Sequence, residues 1–276
     1  MTQHIVTHSL NEPVMLPLWL KYHGRFAPKA KLHVIFTEAF PGELQMLQAQ
    51  FPDVVFYPWA GPSWGCDVSM TGAVIDYVSK MYSQGAKVVI HLDADEFLIP
   101  VDPNKTLGDW MDEFEPSGRR HVRPQGYQVF HNVGVEGAMF TQSDDVLHDR
   151  NVCYSSVTYS KPCVTAEPTI WNSGFHRRMS ARNRGKIHDD IDPTLNLIHL
   201  ATIDIEYLWA KQLSHHAADS KYNPAWKYAP GVPKEDWITF CKTCVQPWNK
   251  AHGCYANMRN GGIIKVPDYW RGKILR

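Results

Sequence analysis

The sequence has no net charge, no long apolar run and few cysteines for its length. Among its 276 residues, Lys plus Arg and Asp plus Glu both total 28, so nothing in the charge indicates a nucleic acid as partner. No stretch of 18 apolar residues exists, which argues against a transmembrane helix and leaves only peripheral membrane contact open. Residues 1–6 lack the basic and apolar regions of a signal peptide. We therefore expect a cytoplasmic protein whose six cysteines are thiols.

The order of the apolar segments predicts an α/β fold. Runs typical of strands occur at 4–8, 32–36, 54–57 and 88–92, and segments with helical spacing separate them at 11–22, 43–50 and 70–82. Strands that alternate with helices indicate parallel pairing. Thr106 and Asp109 resemble a capping box before a further helical segment at 107–114. Later runs at 122–133, 152–164 and 195–200 predict further strands, partly antiparallel. We expect a Rossmann-type, mostly parallel sheet with helices on both faces and a partly antiparallel C-terminal half.

The most informative stretch is the end of the fourth predicted strand. The apolar run 88–92 leads directly into Asp93, Asp95 and Glu96. Because ligands bind outside the carboxyl ends of parallel strands, these carboxylates are expected at the mouth of a cleft. Such oxygen ligands suit Mg²⁺ or Mn²⁺ that also holds a diphosphate. An acidic turn at a strand end is the plainer interpretation, and a second Asp-x-Asp, Asp190 to Asp192, falls in a predicted loop without this strand context.

Several of these residues together resemble a known family. The first strand leads to Asn11 and Glu12, a helix carries Trp19 and Tyr22, and the fourth strand ends in Asp-Ala-Asp-Glu-Phe-Leu at 93–98. This is similar to the family-2-like glycosyltransferases with a GT-A fold, in the branch with an Asn-Glu start and an extended Asp-x-Asp-Glu-Phe-Leu motif. Shorter matches at 161–162, 174–176 and 197–200 extend the resemblance over about residues 3–215. Residues 36–42 depart from the branch's usual Asn/Asp-rich turn, which leaves the choice of nucleotide open.

The resemblance implies a metal-dependent glycosyltransferase that moves a sugar from a UDP- or GDP-sugar to a glycan, lipid-glycan or protein-glycan acceptor. Its GT-A domain would cover 1–220, with a donor-binding half at about 1–100 and an acceptor half at about 101–220. A helical extension at 221–276 would pack on the same domain. Two other classes stay open: a metal-dependent phosphohydrolase acting on a nucleotide or sugar phosphate, and an inactive sugar-nucleotide-binding module of the same fold.

The resemblance also implies roles for individual side chains. Asp93 and Asp95 would hold Mn²⁺ or Mg²⁺, with His199 as first choice and His176 as second choice for a completing histidine. The nucleotide sugar is expected to contact Thr7, Ser9, Asn11, Glu12, Glu38, Asp93, Lys161, Arg177 and Arg178. A catalytic base is sought among Asp189, Asp190 and Asp192. The plainer alternatives are that Asn11 caps a helix, that the histidines are packed or surface residues, and that the arginines lie in a solvated loop.

A cysteine-rich segment near the end has three interpretations. Cys241, Cys244, His252 and Cys254 have the residue types of a zinc site, but their spacing after the Cys-x-x-Cys is unusual. Cys241 and Cys244 also fall on the apolar face of a predicted helix at 234–245, where thiols pack as small apolar groups. Zinc, a disulfide and buried thiols all stay open.

Overall fold

The structure is a computed structural model, and the chain forms two compact units. One unit comprises 1–125 and 160–197, and the other comprises 126–159 and 198–276. The residues described are 2–10, 12–37, 41–60, 68–131, 136, 144–148, 150–156, 159–180, 185–187, 189–204, 206–207 and 263–275. The predicted domain boundary at 220 lies outside the described residues, and so do Asn11, Glu38 and the cysteine-rich segment at 241–254.

The first unit is built on a mostly parallel sheet. Its parallel strands are β1 (Gln3–Leu10), β2 (Lys31–Thr37), β3 (Val55–Pro58) and β4 (Val88–Asp93), in the spatial order β3-β2-β1-β4. On the other side of β4, β8 (Val164–Thr165) pairs antiparallel with β4 and also with the first residues of β6 (His121–Phe130). The predicted α/β class, with a mostly parallel sheet and antiparallel later strands, is confirmed.

Four α-helices of the first unit follow the predicted apolar spacing. They are α1 (Met15–Phe26), α2 (Glu43–Gln50), α3 (Val68–Ser83) and α4 (Leu107–Phe114). Val74 and Val78 of α3 join one buried cluster with Val6, Ile35 and Val89 of the strands, because an amphipathic helix buries its apolar stripe against the sheet. At the start of α4, Thr106 and Asp109 form the predicted capping box.

Two strands differ from the prediction. A strand β5 (Glu96–Pro100) follows β4 after a two-residue turn and pairs with β11 (Ile191–Thr202). Asp192 therefore lies in a strand, and its predicted loop placement is wrong, because β11 pairs with β5. Directly after β5, the Val101 N–H donates to Thr194 O at 3.0 Å. The single strand predicted at 152–164 is two short ones, β7 (Val152–Ser155) and β8, and the segment between them includes Pro162, which has no N–H for a ladder.

The second unit contains the ends of β6 and β11. There β7 lies between β6 and β12 (Ile263–Lys265), with antiparallel pairing to both. Arg150 is fully buried, its Nη2 lies 3.5 Å from Asp204, and Arg271 donates to the carbonyl of His148 at 2.6 Å. The described part of the predicted C-terminal extension is thus a strand and a short 3-10 helix, Asp268–Trp270, while the helix predicted at 234–245 lies outside the described residues.

Two smaller expectations concern cysteines and membranes. Cys153 and Cys163, the cysteines within the described residues, are buried free thiols. No helix in the described part of the chain is long and apolar enough to cross a bilayer.

A buried histidine on β2 makes the fold sensitive to acid. His33 is 6% exposed, its Nε2 lies 2.9 Å from His4 Nδ1, and its Nδ1 lies 3.1 Å from the Tyr77 hydroxyl. Burial, with smaller effects of His4 and Lys31, lowers the pKa of His33 to about 3. The folded protein therefore keeps this ring neutral at pH values where the unfolded chain protonates it.

We predict that the free energy of unfolding decreases as the pH falls from about 6.5 towards 3. In that pH range His33 is protonated in the unfolded chain but stays neutral in the folded protein, so unfolding takes up a proton. His33→Gln should remove about 2 kcal/mol of the stability lost between about pH 7 and about pH 5, the value for an unfolded histidine pKa near 6.5. Urea unfolding of both proteins at the two pH values measures this. An unchanged pH dependence in the variant would contradict the assignment.

Candidate functional site

The carboxyl ends of three neighbouring strands carry buried oxygen atoms without hydrogen-bond partners. Within the described residues these are Ser9 Oγ of β1, Thr37 Oγ1 of β2 and Asp93 Oδ1 of β4. Each lies in the last two residues of its strand. The register places Leu10 opposite Thr37 and His8 opposite Asp93, so Thr37 and Asp93 share one face of the sheet and Ser9 lies on the other. A buried polar atom without a partner costs about 1–3 kcal/mol. This edge of the sheet is therefore a candidate ligand site.

A buried lysine neutralises the carboxylates that follow β4. The Lys161 ammonium contacts Asp93 Oδ2 and lies 2.7 Å from Glu96 Oε1. Lys161 reaches them because its segment runs beside β4, where the His91 N–H donates to Cys163 O at 2.9 Å. Glu96 also accepts the Asp93 N–H at 3.0 Å and so closes the turn. Side-chain exposure is 5% for Lys161, 0% for Glu96 and 27% for Asp93.

The charges of this cluster depend on one another. Burial alone would lower the pKa of Lys161, but the charges of Asp93 and Glu96 outweigh it and hold the pKa above its ordinary value. Burial acts against the ionised form of Asp93, yet Lys161, His8 and His91 hold its pKa well below the usual range. Burial raises the pKa of Glu96. Asp93 and Lys161 are therefore a charged pair, and Glu96 is the carboxyl that resists ionisation.

Two histidines that the sequence did not single out lie beside Asp93. His8 Nε2 is 3.7 Å from Asp93 Oδ1, and His8 Nδ1 is 3.4 Å from His91 Nε2. The two rings stack with centroids 5.6 Å apart. Burial, followed by the neighbouring His8, lowers the pKa of His91 well below its usual range. The sequence does contain a signal for them, because the predicted first and fourth strands each carry a histidine near the carboxyl end, and these two strands pair in the structure.

The turn at 172–177 packs against His91 and carries His176 and Arg177. The Phe175 ring lies 4.2 Å from the His91 ring, and Asn172 Oδ1 accepts the Arg177 N–H at 2.7 Å. Phe175 is buried at a φ of 59°, a conformation that bulky side chains rarely adopt. Such strain clusters at functional sites. His176 is half-buried and Arg177 is exposed, so this turn presents both near the end of β4.

Two of the three candidate bases are held by arginines. Arg178 Nε lies 3.1 and 3.0 Å from the two carboxylate oxygens of Asp189. Asp192 pairs with Arg119 and accepts the Thr194 N–H at 2.7 Å, which fixes the start of β11. Asp190 is exposed. Asp190 is therefore the member of the set whose carboxylate is most accessible to a substrate.

The remaining predicted residues are at these places. Thr7 is fully buried in β1 and its hydroxyl donates to His8 O at 3.3 Å, while Glu12 is buried just before α1. His199 belongs to the second unit, where it is 7% exposed, its ring stacks 4.1 Å from that of Tyr159, and its Nδ1 contacts Gln128 Oε1. A ring with Nδ1–H donating to this oxygen carries its acceptor lone pair on Nε2.

The site fits a divalent ion that arrives with a phosphate ligand. No group of three or more His, Cys, Asp or Glu side chains within the described residues is arranged to hold an ion by itself. Asp93 Oδ1, however, is a buried carboxylate oxygen without a hydrogen-bond donor among those residues, as expected of an oxygen kept for a cation. Magnesium is ordinarily held by one or two carboxylates together with substrate phosphates and water. The residues thus suit a shared site and not a protein-only cage.

A groove elsewhere in the first unit contains none of the predicted residues. Its volume is about 360 Å³, and Lys105, Trp110, Glu113, Arg119 and Thr194 help to line it. Lys105 pairs with Glu113 at 2.7 Å, and Arg119 pairs with Asp192. These pairs stabilise the groove walls, and nothing in its chemistry indicates a reaction.

Comparison with known proteins gives structural similarities at a low level. The chain is similar to S. aureus TarS 1-349 in complex with UDP, at 11% identity and a TM-score of 0.42, over 92% of this chain and 74% of that one. For the longer S. aureus TarS chain the identity is 12% and the TM-score is 0.38. The match covers 79% of this chain but only 40% of the TarS chain. For a 4-diphosphocytidyl-2C-methyl-D-erythritol synthase the identity is 15% and the TM-score is 0.31, over 51% of this chain and 66% of that one. Scores of this size carry no argument about function.

Neither of the sequence comparisons found a match. No protein-family model matches the chain, and no curated protein does. What the chain does must therefore be argued from the site itself.

We predict that Ser9→Ala leaves the free energy of unfolding unchanged or raises it by up to about 1 kcal/mol, because it removes a buried hydroxyl without a partner. Thr7→Val on the same strand is the matched control. It removes a hydroxyl that donates a hydrogen bond, and should lower the stability by about 1 kcal/mol. Urea unfolding measures both. An equal loss in the two variants would mean that Ser9 has an internal partner.

Proposed function

We propose that this protein is a metal-dependent glycosyltransferase that takes its sugar from a UDP- or GDP-sugar and passes it to a glycan, lipid-glycan or protein-glycan acceptor. The observation that supports this best is the presence of buried, unsatisfied oxygens at the carboxyl edge of β1, β2 and β4: those of Thr37 and Asp93 on one face of the sheet and that of Ser9 on the other. Ligands of open α/β sheets bind at this edge. Hydroxyls there suit ribose and base, and carboxylates suit the cation of a diphosphate.

The nucleotide would lie along the ends of β1 and β2. Its proposed contacts are Thr7, Ser9 and Glu12, together with Asn11 and Glu38. For the diphosphate, Arg177 is the first choice, because it is exposed in the turn beside β4. Lys161 and Arg178 already pair with protein carboxylates, so in this proposal they are secondary candidates for the diphosphate.

Asp93 and Asp95 are the proposed ligands of Mn²⁺ or Mg²⁺. When bound, the ion would neutralise the charge that develops on the diphosphate leaving group. His199 and His176 are the candidates for a completing histidine. The contact between His199 Nδ1 and Gln128 supports His199, because a ligating histidine usually donates its other ring N–H to an oxygen. His176 is supported by its place in the turn that packs on His91.

An inverting transfer would also need a base near the acceptor hydroxyl. Asp190 is proposed before Asp189 and Asp192, since arginines pair with the other two. A retaining transfer would not need a base in this position. One observation favours a second candidate, an inactive sugar-nucleotide-binding module: Asp93 is already engaged by Lys161. Screening several nucleotide sugars for donor hydrolysis separates the two, because only the enzyme releases free sugar.

We predict that the protein binds UDP or GDP in the presence of Mn²⁺, and that EDTA abolishes this binding. Asp95→Asn should weaken it by about 10-fold or more, because the variant removes a proposed metal ligand. Calorimetry with UDP, GDP, CMP and dTDP measures the affinities, with exposed Asp53→Asn as the control that keeps wild-type binding. Full binding in EDTA would exclude the metal, and no binding of any nucleotide would argue against a transferase.

We predict that one of the two histidines determines the Mn²⁺ requirement. His199→Ala should raise the Mn²⁺ concentration for half-maximal donor hydrolysis by about 10-fold or more, the size of loss known for supporting metal contacts. His176→Ala is the paired variant, and the larger shift identifies the ligand. The melting temperature of each metal-free variant controls for folding. If neither variant shifts the Mn²⁺ dependence, carboxylates, phosphates and water hold the ion without a histidine.

A further inference from the structure

We propose that Lys161 is the resident cation of this site, which neutralises Asp93 and also contacts Glu96, so that a divalent ion binds only together with a nucleoside diphosphate. The inference rests on the donor site proposed above and adds to it an order of binding. It also changes the expected role of Lys161 from a phosphate ligand to the counter-ion of the acidic motif.

The first argument is the way Lys161 is held. Its ammonium lies between two carboxylates, in contact with Asp93 and 2.7 Å from Glu96, and its side chain is 5% exposed. The side chain is buried and its ammonium contacts two carboxyl groups. Lys161 is therefore fixed in the protein interior and is not a mobile surface lysine. Its carbonyl accepts the Cys163 N–H at 2.9 Å, which fixes the backbone behind the side chain.

The second argument is the number of acidic groups that must be accommodated. Asp93, Asp95 and Glu96 fall within four residues, and Glu96 and Asp95 are 0% and 3% exposed. Carboxylates buried so close together need a cation nearby, or some of them must stay protonated. Lys161 supplies that cation from within the chain, so the folded protein does not need a metal ion to stabilise the motif.

The third argument concerns what a metal ion would gain. With Lys161 in place, Asp93 Oδ2 is occupied, and Oδ1 is the oxygen of that carboxylate that accepts no hydrogen bond from the described residues. A divalent ion near the ammonium is also repelled by it. The negative oxygens of a diphosphate offset that repulsion and complete the coordination, which explains why ion and diphosphate should bind together.

The test compares Lys161→Met with wild type and Lys161→Arg by thermal unfolding in EDTA, in Mn²⁺, and in Mn²⁺ plus UDP. Methionine keeps much of the apolar stem and removes the charge, whereas arginine keeps the charge. In EDTA, Lys161→Met should melt about 10 °C below wild type, since it leaves buried carboxylates without a counter-ion. Mn²⁺ alone should restore at least half of that loss. Wild type and Lys161→Arg should not respond to Mn²⁺ alone.

The charge balance provides a second variant. Lys161→Met combined with Asp93→Asn removes the two members of the charged pair together. It should melt above Lys161→Met in EDTA and respond less to Mn²⁺, because less uncompensated charge is left. The inference is overturned if Lys161→Met melts like wild type in EDTA, or if its loss of stability is not reduced by Mn²⁺, since Lys161 would then act through packing alone.

A measurement on the wild type decides the case even where Lys161→Met fails to fold. Electron paramagnetic resonance of free Mn²⁺ should show no binding to the protein alone at about 100 µM, and binding once UDP is added, as expected for a shared site. Tight Mn²⁺ binding without nucleotide overturns the inference. If Mn²⁺ does not bind even with UDP, the proposed donor site fails, and the melting temperatures of the variants still decide whether Lys161 is the resident cation.

Discussion

The contact of the Lys161 ammonium with Asp93 and Glu96 is the interaction on which the rest of the site depends. β4 delivers three carboxylates within four residues to an interior position, and such a cluster is stable only next to a cation. The same contact ties the segment that leads into β8 to the end of β4, and β8 then pairs antiparallel with Val89 and Ile90 near the start of that strand. The acidic motif and the antiparallel strand beside it are therefore held in place together.

Much of this fold follows from local pattern, and the part that does not follow is pairing between distant residues. Apolar spacing predicted β1 to β4, α2 with its observed bounds and the capping box of α4, since each depends on residues close in sequence. β5 was missed because its run directly follows the turn at 94–95 and its partner, β11, lies far along the chain. Lys161 was expected to meet a phosphate but meets carboxylates 68 residues before it, a pairing that only the register of β8 on β4 creates.

The site shows the same division between residue type and residue partner. Sequence reasoning could name Asp189, Asp192 and Arg178 as functional candidates from their charge, but not that Arg178 binds Asp189 or that Arg119 binds Asp192. These pairs matter because a charged side chain that is already paired within the protein interacts more weakly with a charged substrate. His8 and His91 show the converse, since two histidines in separate strands become neighbours of Asp93 only when β1 and β4 pair.

Burial without a partner does not by itself indicate a ligand site. Within the described residues, Trp19 Nε1 and His23 Nε2 of α1 are also buried without hydrogen bonds, and they are ring nitrogens inside an apolar helix interface. Ser9, Thr37 and Asp93 differ from these in their arrangement, because they end three neighbouring parallel strands at one edge of the sheet. Packing would be served equally well by Ala or Val at the two hydroxyl positions. Under the proposed function, a polar ligand at these strand ends would supply the missing partners, and Asp93 would connect that ligand to the charge held by Lys161.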